Sequence, residues 1–375
     1  MRKQPVLMVS EYFHPHWTGL AQSFLNFACY LVEQGHQVQV LTTRHSSSLP
    51  ASESCFGLDI KRSDCLFYIS RTNYSLKILL DFIKMCRSFE VIIINSPCSN
   101  IFFLSLIAKL FRKKLFVYHQ GDLLLAKHCG SKAINFSVER LFDLFTISSL
   151  AMCDSAYTYT LDYSSHSRVM KHFPKKCKAF IPPLRLPSGK ASEEIRSKLT
   201  RSPDRNPILG FAGRFVEEKG FDLLLRAIPL VKKKFPSAHF VFAGEVNVYY
   251  ERFYEANKSL INHSASSLTF LGLLKGGDLE LFYKSLDAFI LCSRSDCFAL
   301  TQVEAALFGV PLIVSDIPGA RMLVREAGCG VLVKPECPES LANGIAAVLA
   351  ERECYANLTQ GTAEFLSRYG SLTID

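Results

Sequence analysis

Only one tryptophan occurs in 375 residues, and the thirteen cysteines contain no C-x-x-C pair. An odd number of thiols scattered from Cys29 to Cys354 indicates neither a disulfide framework nor a zinc site. They read instead as small buried apolar side chains in a reducing compartment. No run reaches the ~18 uninterrupted apolar residues of a membrane span. The greasiest stretch, Ile101 to Phe111, is broken by Ser105 and Lys109 and leads into Arg112, Lys113 and Lys114. No apolar signal region precedes the strand-like Val6–Ser10, so a cytoplasmic location is expected. Internal repeats and low-complexity tracts are also missing.

What remains is globular: 49% hydrophobic and 21% charged residues, mean hydropathy +0.15 and 29 phenylalanines. The length suits two domains, each able to bury its own core. The net charge of +9 is uneven, with 23 Lys+Arg against 12 Asp+Glu in residues 1–190 and 20 against 22 in residues 191–375. Basic clusters at Arg112–Lys114 and Lys171–Lys178 suit an anionic membrane surface, an anionic acceptor or simply water. Nucleic acid is not expected, because the aromatic–basic interleaving of a binding platform is missing.

Short β-branched runs alternate with helical patterns along the chain, the signature of parallel α/β sheets. The pattern predicts strands at Val6–Ser10, Val38–Thr42, Val91–Asn95 and Leu115–His119, then Ile208–Gly213, His239–Ala243, Leu268–Leu271, Ala288–Leu291 and Pro311–Val314. Helices are predicted over Ala21–Gln34, over the greasy-basic segment Ile101–Lys114, and where Phe221, Leu224, Leu225 and Ile228 share one face. Prolines crowd a polar stretch that we read as the linker, residues 186–206. The expected organisation is therefore a Rossmann-like, doubly wound domain over residues 1–185 and a second over 207–355, with their sheet edges facing a central cleft. Residues 356–375 are read as a C-terminal helix returning to the first domain.

The densest chemistry lies in Ser295-Asp296-Cys297-Phe298-Ala299-Leu300-Thr301-Gln302-Val303-Glu304-Ala305-Ala306-Leu307-Phe308-Gly309-Val310-Pro311. Leu300, Val303 and Leu307 mark a helix that Gly309 and Pro311 end. Free amides at its start attract a diphosphate, and the flanking carboxylates of Asp296 and Glu304 suit sugar hydroxyls. Asp296 as an N-cap is the plainer alternative. Glu304 sits among apolar neighbours and needs a partner. Gly213-Arg214-Phe215-Val216-Glu217-Glu218-Lys219-Gly220 follows a strand, and Arg214 and Lys219 there are suited to neutralising a diphosphate or are a surface basic pair.

These two segments resemble the G-R-x-x-x-x-K-G and E-x7-E segments of the retaining glycosyltransferases of family four, which have the GT-B fold. The resemblance covers about Ile208 to Leu341. It implies transfer of a hexosyl-type sugar from a nucleoside-diphosphate sugar to a lipid or glycan, with retention at the anomeric carbon. Neither a metal nor another cofactor is implied, and the sequence has no D-x-D triplet. On this resemblance Arg214 and Lys219 contact the diphosphate and Glu304 the ribose. Phe298, Ala299, Leu300 and Thr301 offer backbone amides, and Asp296 holds a donor sugar hydroxyl.

The sequence departs from the family in having Asp296 for the first glutamate, and Cys297 and Ala299 where a glycine is usual. The first domain is less similar: its Tyr12–Leu20 loop has Gly19 where the family commonly has two glycines near the donor phosphates, and Trp17 there suits stacking on a sugar or core packing. His119 follows a strand, as does a histidine near the donor sugar and acceptor in the family, and is expected to orient an acceptor hydroxyl or relay a proton, unless it is simply satisfied by the loop. A basic first domain on an anionic membrane completes the expectation. Two alternatives stay open: a non-catalytic nucleotide-sugar-binding partner of another transferase, and another GT-B enzyme such as a nucleotide-sugar epimerase or a phosphorylase.

Overall fold

In the computed structural model, the described residues are 4–16, 18–65, 67–69, 72–125, 131–200, 206–248, 251–355, 357–372 and 374. Trp17 lies outside them. They form two units, one comprising the chain to Leu125, residues 131–185 and those from Tyr369 on, the other Leu186–Arg368.

The first unit contains β1 (Pro5–Ser10), α1 (Gly19–Glu33), β2 (Gln37–Arg44), β3 (Ser52–Cys55), β4 (Leu58–Asp64), the hairpin β5 (Phe67–Ile69) and β6 (Thr72–Tyr74), α2 (Lys77–Cys86) and β7 (Val91–Ser96). It continues with α3 (Ile101–Leu110), β8 (Lys114–His119), α4 (Lys132–Met152), β9 (Ser155–Thr158), α5 (Leu161–His166) and β10 (Cys177–Ala179). Its sheet runs β10-β9-β8-β7-β1-β2-β4-β3, parallel except at β3. Strands such as Val91–Ser96 are buried along their whole length, which is why they read as unbroken apolar runs. Helices α2, α3 and α4 pack their inner faces into one core with Ile92, Ile94 and Val117.

Two basic segments differ from the sequence reading. The helix expected over Ile101–Lys114 stops at Leu110: Arg112 takes a left-handed conformation (φ 54°), Lys113 donates its amide to the Ala108 carbonyl, and Lys114 opens β8. In the second cluster, Lys176 Nζ caps the end of α4 by donating to the carbonyls of Leu150, Ala151 and Cys153 at 3.1, 2.6 and 2.8 Å. That lysine satisfies a helix terminus, while Lys171 and Lys175 stay exposed.

The second unit contains α6 (Glu193–Lys198), β11 (Ile208–Ala212), a 3-10 turn (Glu217–Lys219), α7 (Phe221–Lys234), β12 (His239–Ala243), α8 (Phe253–Ala256), α9 (Lys258–His263) and β13 (Leu268–Gly272). It continues with α10 (Gly276–Ser285), β14 (Ala288–Leu291), α11 (Leu300–Leu307), β15 (Leu312–Ser315), α12 (Arg321–Ala327), β16 (Gly330–Val333), α13 (Pro338–Ala350) and α14 (Leu358–Tyr369). The sheet is β13-β12-β11-β14-β15-β16, parallel throughout. Phe211, Phe215, Phe221, Phe242 and Phe270 meet ring to ring under β11 and β12, so part of the phenylalanine excess is core. The proline-rich stretch is not free: Ser192 donates its amide to Asp278 at 2.6 Å, and α6 packs on α10.

Candidate active site

In a doubly wound sheet the chain reverses direction at one place, and the loops leaving the two strands there open a crevice at their carboxyl ends. For the second unit that place lies between β11 and β14. The loop after β11 carries Arg214 and Lys219, and the loop after β14 carries Asp296 and leads into α11. Topology alone thus brings together segments about 80 residues apart in sequence.

Lys219 Nζ donates to Asp296 Oδ2 at 2.7 Å, with side-chain exposures of 21% and 7%. Burial pulls the lysine pKa down, but the Asp296 and Glu218 carboxylates outweigh it and the net direction is up. Asp296 does not cap α11. Ala299 holds that position without a side-chain bond, and Asp296 Oδ1 accepts from the amide of Cys297 at 3.1 Å. No acidic side chain occupies the first turn of α11. The Leu300 and Thr301 amides have no intrahelical acceptor, as at any helix start. Phe298 is buried and stacks on Phe365 of α14 (6.3 Å between ring centres), while Arg214 is more open and lies 3.8 Å from Glu218.

Glu304 projects from the second turn of α11 and accepts a 2.6 Å hydrogen bond from Tyr283 Oη on α10. Burial raises its pKa to about 7, and the tyrosine bond only partly offsets this. Tyr283 is itself fully buried, stacks on Phe308, and has its phenol pKa raised by burial and by Glu304. The partner that Glu304 requires is therefore present within the protein, on one of its two oxygens.

Three further residues hold this geometry. Arg294 donates to both oxygens of Asp222 (2.8 and 2.9 Å) and to the Glu217 carbonyl (2.8 Å), fastening the β14 loop to the β11 loop. The Asp222 bonds, against an opposing effect of burial, push the Arg294 pKa up. Gly319 lies over the backbone of Asp296, where any Cβ would collide with the Asp296 carbonyl oxygen. A charged residue just past a strand was the available signal for Arg294; Tyr283 gave none.

The first unit holds the remaining expected residues. Gly19 is the first residue of α1, behind its cap Thr18, and has no left-handed φ. Open space lies where its Cβ would be. His119 ends β8 and is 1% exposed, with Nδ1 3.0 Å from Ser96 Oγ and Nε2 3.1 Å from Asp122 Oδ1. With Nε2–H directed at the carboxylate, Nδ1 accepts from the serine hydroxyl. Asp122 also accepts from Ser167 Oγ and from the Arg168 amide, both at 2.7 Å. Burial works to raise the Asp122 pKa, yet His119, Ser167 and Arg168 together bring it to about 2. A small pocket beside this pair is lined by Pro97, Gly121, Phe142 and Thr146.

Residues 192–365 match the family of glycosyl transferases group 1. An uncharacterised glycosyltransferase of Methanocaldococcus jannaschii is 30% identical over 148 residues, 40% of this chain and 37% of that protein. A GDP-mannose-dependent alpha-mannosyltransferase of Mycolicibacterium smegmatis is 24% identical over 376 residues, 93% of this chain and 90% of that protein. Among solved structures, Anabaena HepE in complex with UDP and glucose superposes with a TM-score of 0.72 at 14% identity, covering 98% of this chain and 95% of that one. The family match falls in the second unit, which is similar to the glycosyl transferases group 1 over residues 192–365 of the chain's 375, and the structural likeness spans both units, so the chain has the two-sheet GT-B architecture.

Proposed function

We propose that the protein moves a hexosyl-type sugar from a nucleoside-diphosphate sugar to a lipid or glycan acceptor, with retention of anomeric configuration and without a metal. The observation that carries this reading is the meeting of Arg214, the Lys219–Asp296 pair and the start of α11 at one strand-edge crevice, with Glu304 one turn further on. The diphosphate would lie against the Leu300 and Thr301 amides beside Arg214 and Lys219, where negative charge grows as the glycosidic bond breaks. Glu304 would take the ribose hydroxyls on the oxygen that Tyr283 leaves, and Asp296 a hydroxyl of the donor sugar. The acceptor attacks from the side the diphosphate leaves, and a phosphate oxygen of the leaving group takes the acceptor proton.

His119 would act as a positioning residue in acceptor binding, since both its ring nitrogens already have partners. The reading is supported by relatives and neighbours whose names include GDP-mannose, UDP and glucose, which leave the base open. We place the reaction in the cytoplasm, at an anionic membrane bearing the acceptor; the basic first half of the chain supports this.

A thermal-shift screen against nucleoside diphosphates and their sugars, for the natural protein and Glu304→Gln, tests donor binding. Stabilisation by one nucleotide family that is lost in the variant supports the ribose role, and an identical response in both removes it. Turnover with lipid extracts, with and without chelator, and NMR of the product anomer test transfer, metal independence and retention. Nucleotide binding with neither hydrolysis nor transfer would assign a non-catalytic partner instead.

A further inference from the structure

Among the described residues, most of the exposed large apolar side chains sit on three neighbouring helices of the first unit. Leu80 of α2 is 61% exposed; Phe103, Leu106 and Leu110 of α3 are 46%, 38% and 73%; Leu141 and Leu144 of α4 are 50% and 57%. Among the described residues of the second unit, only Leu186 and Leu273 are exposed in this way. The spacing within α3 puts its three on one stripe, and the inner faces of the same helices are in the core. Helix α3 is joined to α4, where Phe102 stacks on Phe145 and Ser105 shares a hydrogen bond with Ser149, and it packs on α2 on its other side. The stripe is thus the outer surface of a packed layer of helices.

Exposed cations border it. Lys84 and Arg87 close α2, Arg112 and Lys114 follow α3, and Lys171 and Lys175 stand beyond α4. Neighbouring acids are mostly engaged: Asp154 pairs with Lys109 at 2.8 Å, and Asp143 with Arg168 at 3.0 Å. Glu90 is an exposed acid nearby in sequence. A broad apolar surface rimmed by exposed cations suits the boundary of an anionic bilayer, where leucine and phenylalanine enter the acyl region and lysine and arginine stay with the headgroups. A second copy of the chain would cover the stripe but bring no surplus of carboxylates to the basic rim.

We propose that the outer face of α2, α3 and α4 is the surface by which this protein lies on an anionic membrane. The proposal rests on the reading of a membrane-borne acceptor for its purpose, and on the surface itself for its location. None of the described helices is long and apolar enough to cross a membrane, so the contact is lateral.

Flotation of the full chain with phosphatidylglycerol-containing vesicles, against pure phosphatidylcholine and against high salt, tests it. Binding to the anionic vesicles is expected, weakened by salt. The double variant Leu106→Glu/Leu110→Glu is expected to reduce partitioning at least tenfold. Lys84→Glu/Lys114→Glu should reduce it by at least about fivefold for each charge removed. Leu273→Glu, on the other unit, should float as the natural protein does. No flotation at low salt, or equal flotation of all variants, would overturn the proposal, as would a dimer in sedimentation that the leucine variant dissociates without any vesicle binding. The nucleotide thermal shift, measured on the same samples, reports the transfer reading separately: flotation without a nucleotide response leaves the membrane face standing and removes the donor site.

Discussion

Lys219 and Asp296, 77 residues apart in the chain, face each other at 2.7 Å. A cation expected to serve a diphosphate and a carboxylate expected to serve a sugar therefore neutralise one another before either meets a ligand. A donor would be received by a shared charge, with the lysine able to turn toward phosphate only as the carboxylate finds a hydroxyl.

Asp296→Asn should remove the pairing without emptying the space. We expect kcat for transfer to fall by about 10²-fold, in the range seen when one preorganised polar contact to a transition state is lost. Asp296→Glu, which introduces the residue found in the family that this segment resembles, should keep most activity. Steady-state kinetics of the two variants check this, and equal losses would remove the sugar-binding role.

Glu304 makes stability depend on pH in the unusual direction. Its pKa in the folded protein is about 7 against 4.5 for the free side chain, so the folded state holds a proton that the unfolded chain has released. The stabilising effect is complete below pH 4.5 and is lost as pH rises through about 7, in total ~3 kcal/mol. Denaturation of natural protein and Glu304→Gln across that window should show the variant losing less stability with rising pH. Ribose hydroxyls donating to this carboxylate favour its charged form, so calorimetry in buffers of different ionisation enthalpy should detect proton release on nucleotide binding near pH 7.

Arg294→Ala would leave Asp222, only 9% exposed at its side chain, without its bidentate partner. A loss of about 3 kcal/mol is expected from the stranded carboxylate. Because Arg294 also fastens the β11 and β14 loops, KM for the donor should rise. Urea unfolding together with donor kinetics checks both; a stability loss with unchanged KM would reduce Arg294 to a structural role.

Asp122 behaves in the opposite sense to Glu304. Its carboxyl sits at about 2 against 3.8 for the free side chain, so it stabilises the fold above pH 3.8 and the effect is lost as pH falls through about 2. Asp122→Asn should cost ~2 kcal/mol at neutral pH, a difference that shrinks on acidification. It should also alter the environment of His119, read from the imidazole resonances in NMR.

The sequence made the second unit legible because its central strands are buried on both faces and appear as continuous apolar runs: Ala288–Leu291 was expected and observed with the same ends. Strands such as β9, with sequence SAYT, and β10, CKA, carry too little apolar pattern to stand out, and the edge strand β3 is polar. The loop position of Asp296 and the helix after it were readable from local turn chemistry. Which cation Asp296 would meet was not, since the pairing with Lys219 comes from strand order. Tyr283 was hidden for a related reason: a tyrosine in an ordinary helical stretch gives no sign that its hydroxyl reaches a glutamate on another helix.

The stacking of Phe298 on Phe365 sets a lower limit on the size of any working fragment. The turn that would cradle phosphate leans on the last helix of its own unit, and Thr359 adds a 3.5 Å hydrogen bond to the Ala306 carbonyl at the far end of α11. A shortened polypeptide ending after α13 would retain every strand of that sheet yet leave one side of Phe298 wet, so the second unit must be cut beyond residue 365 to be studied alone.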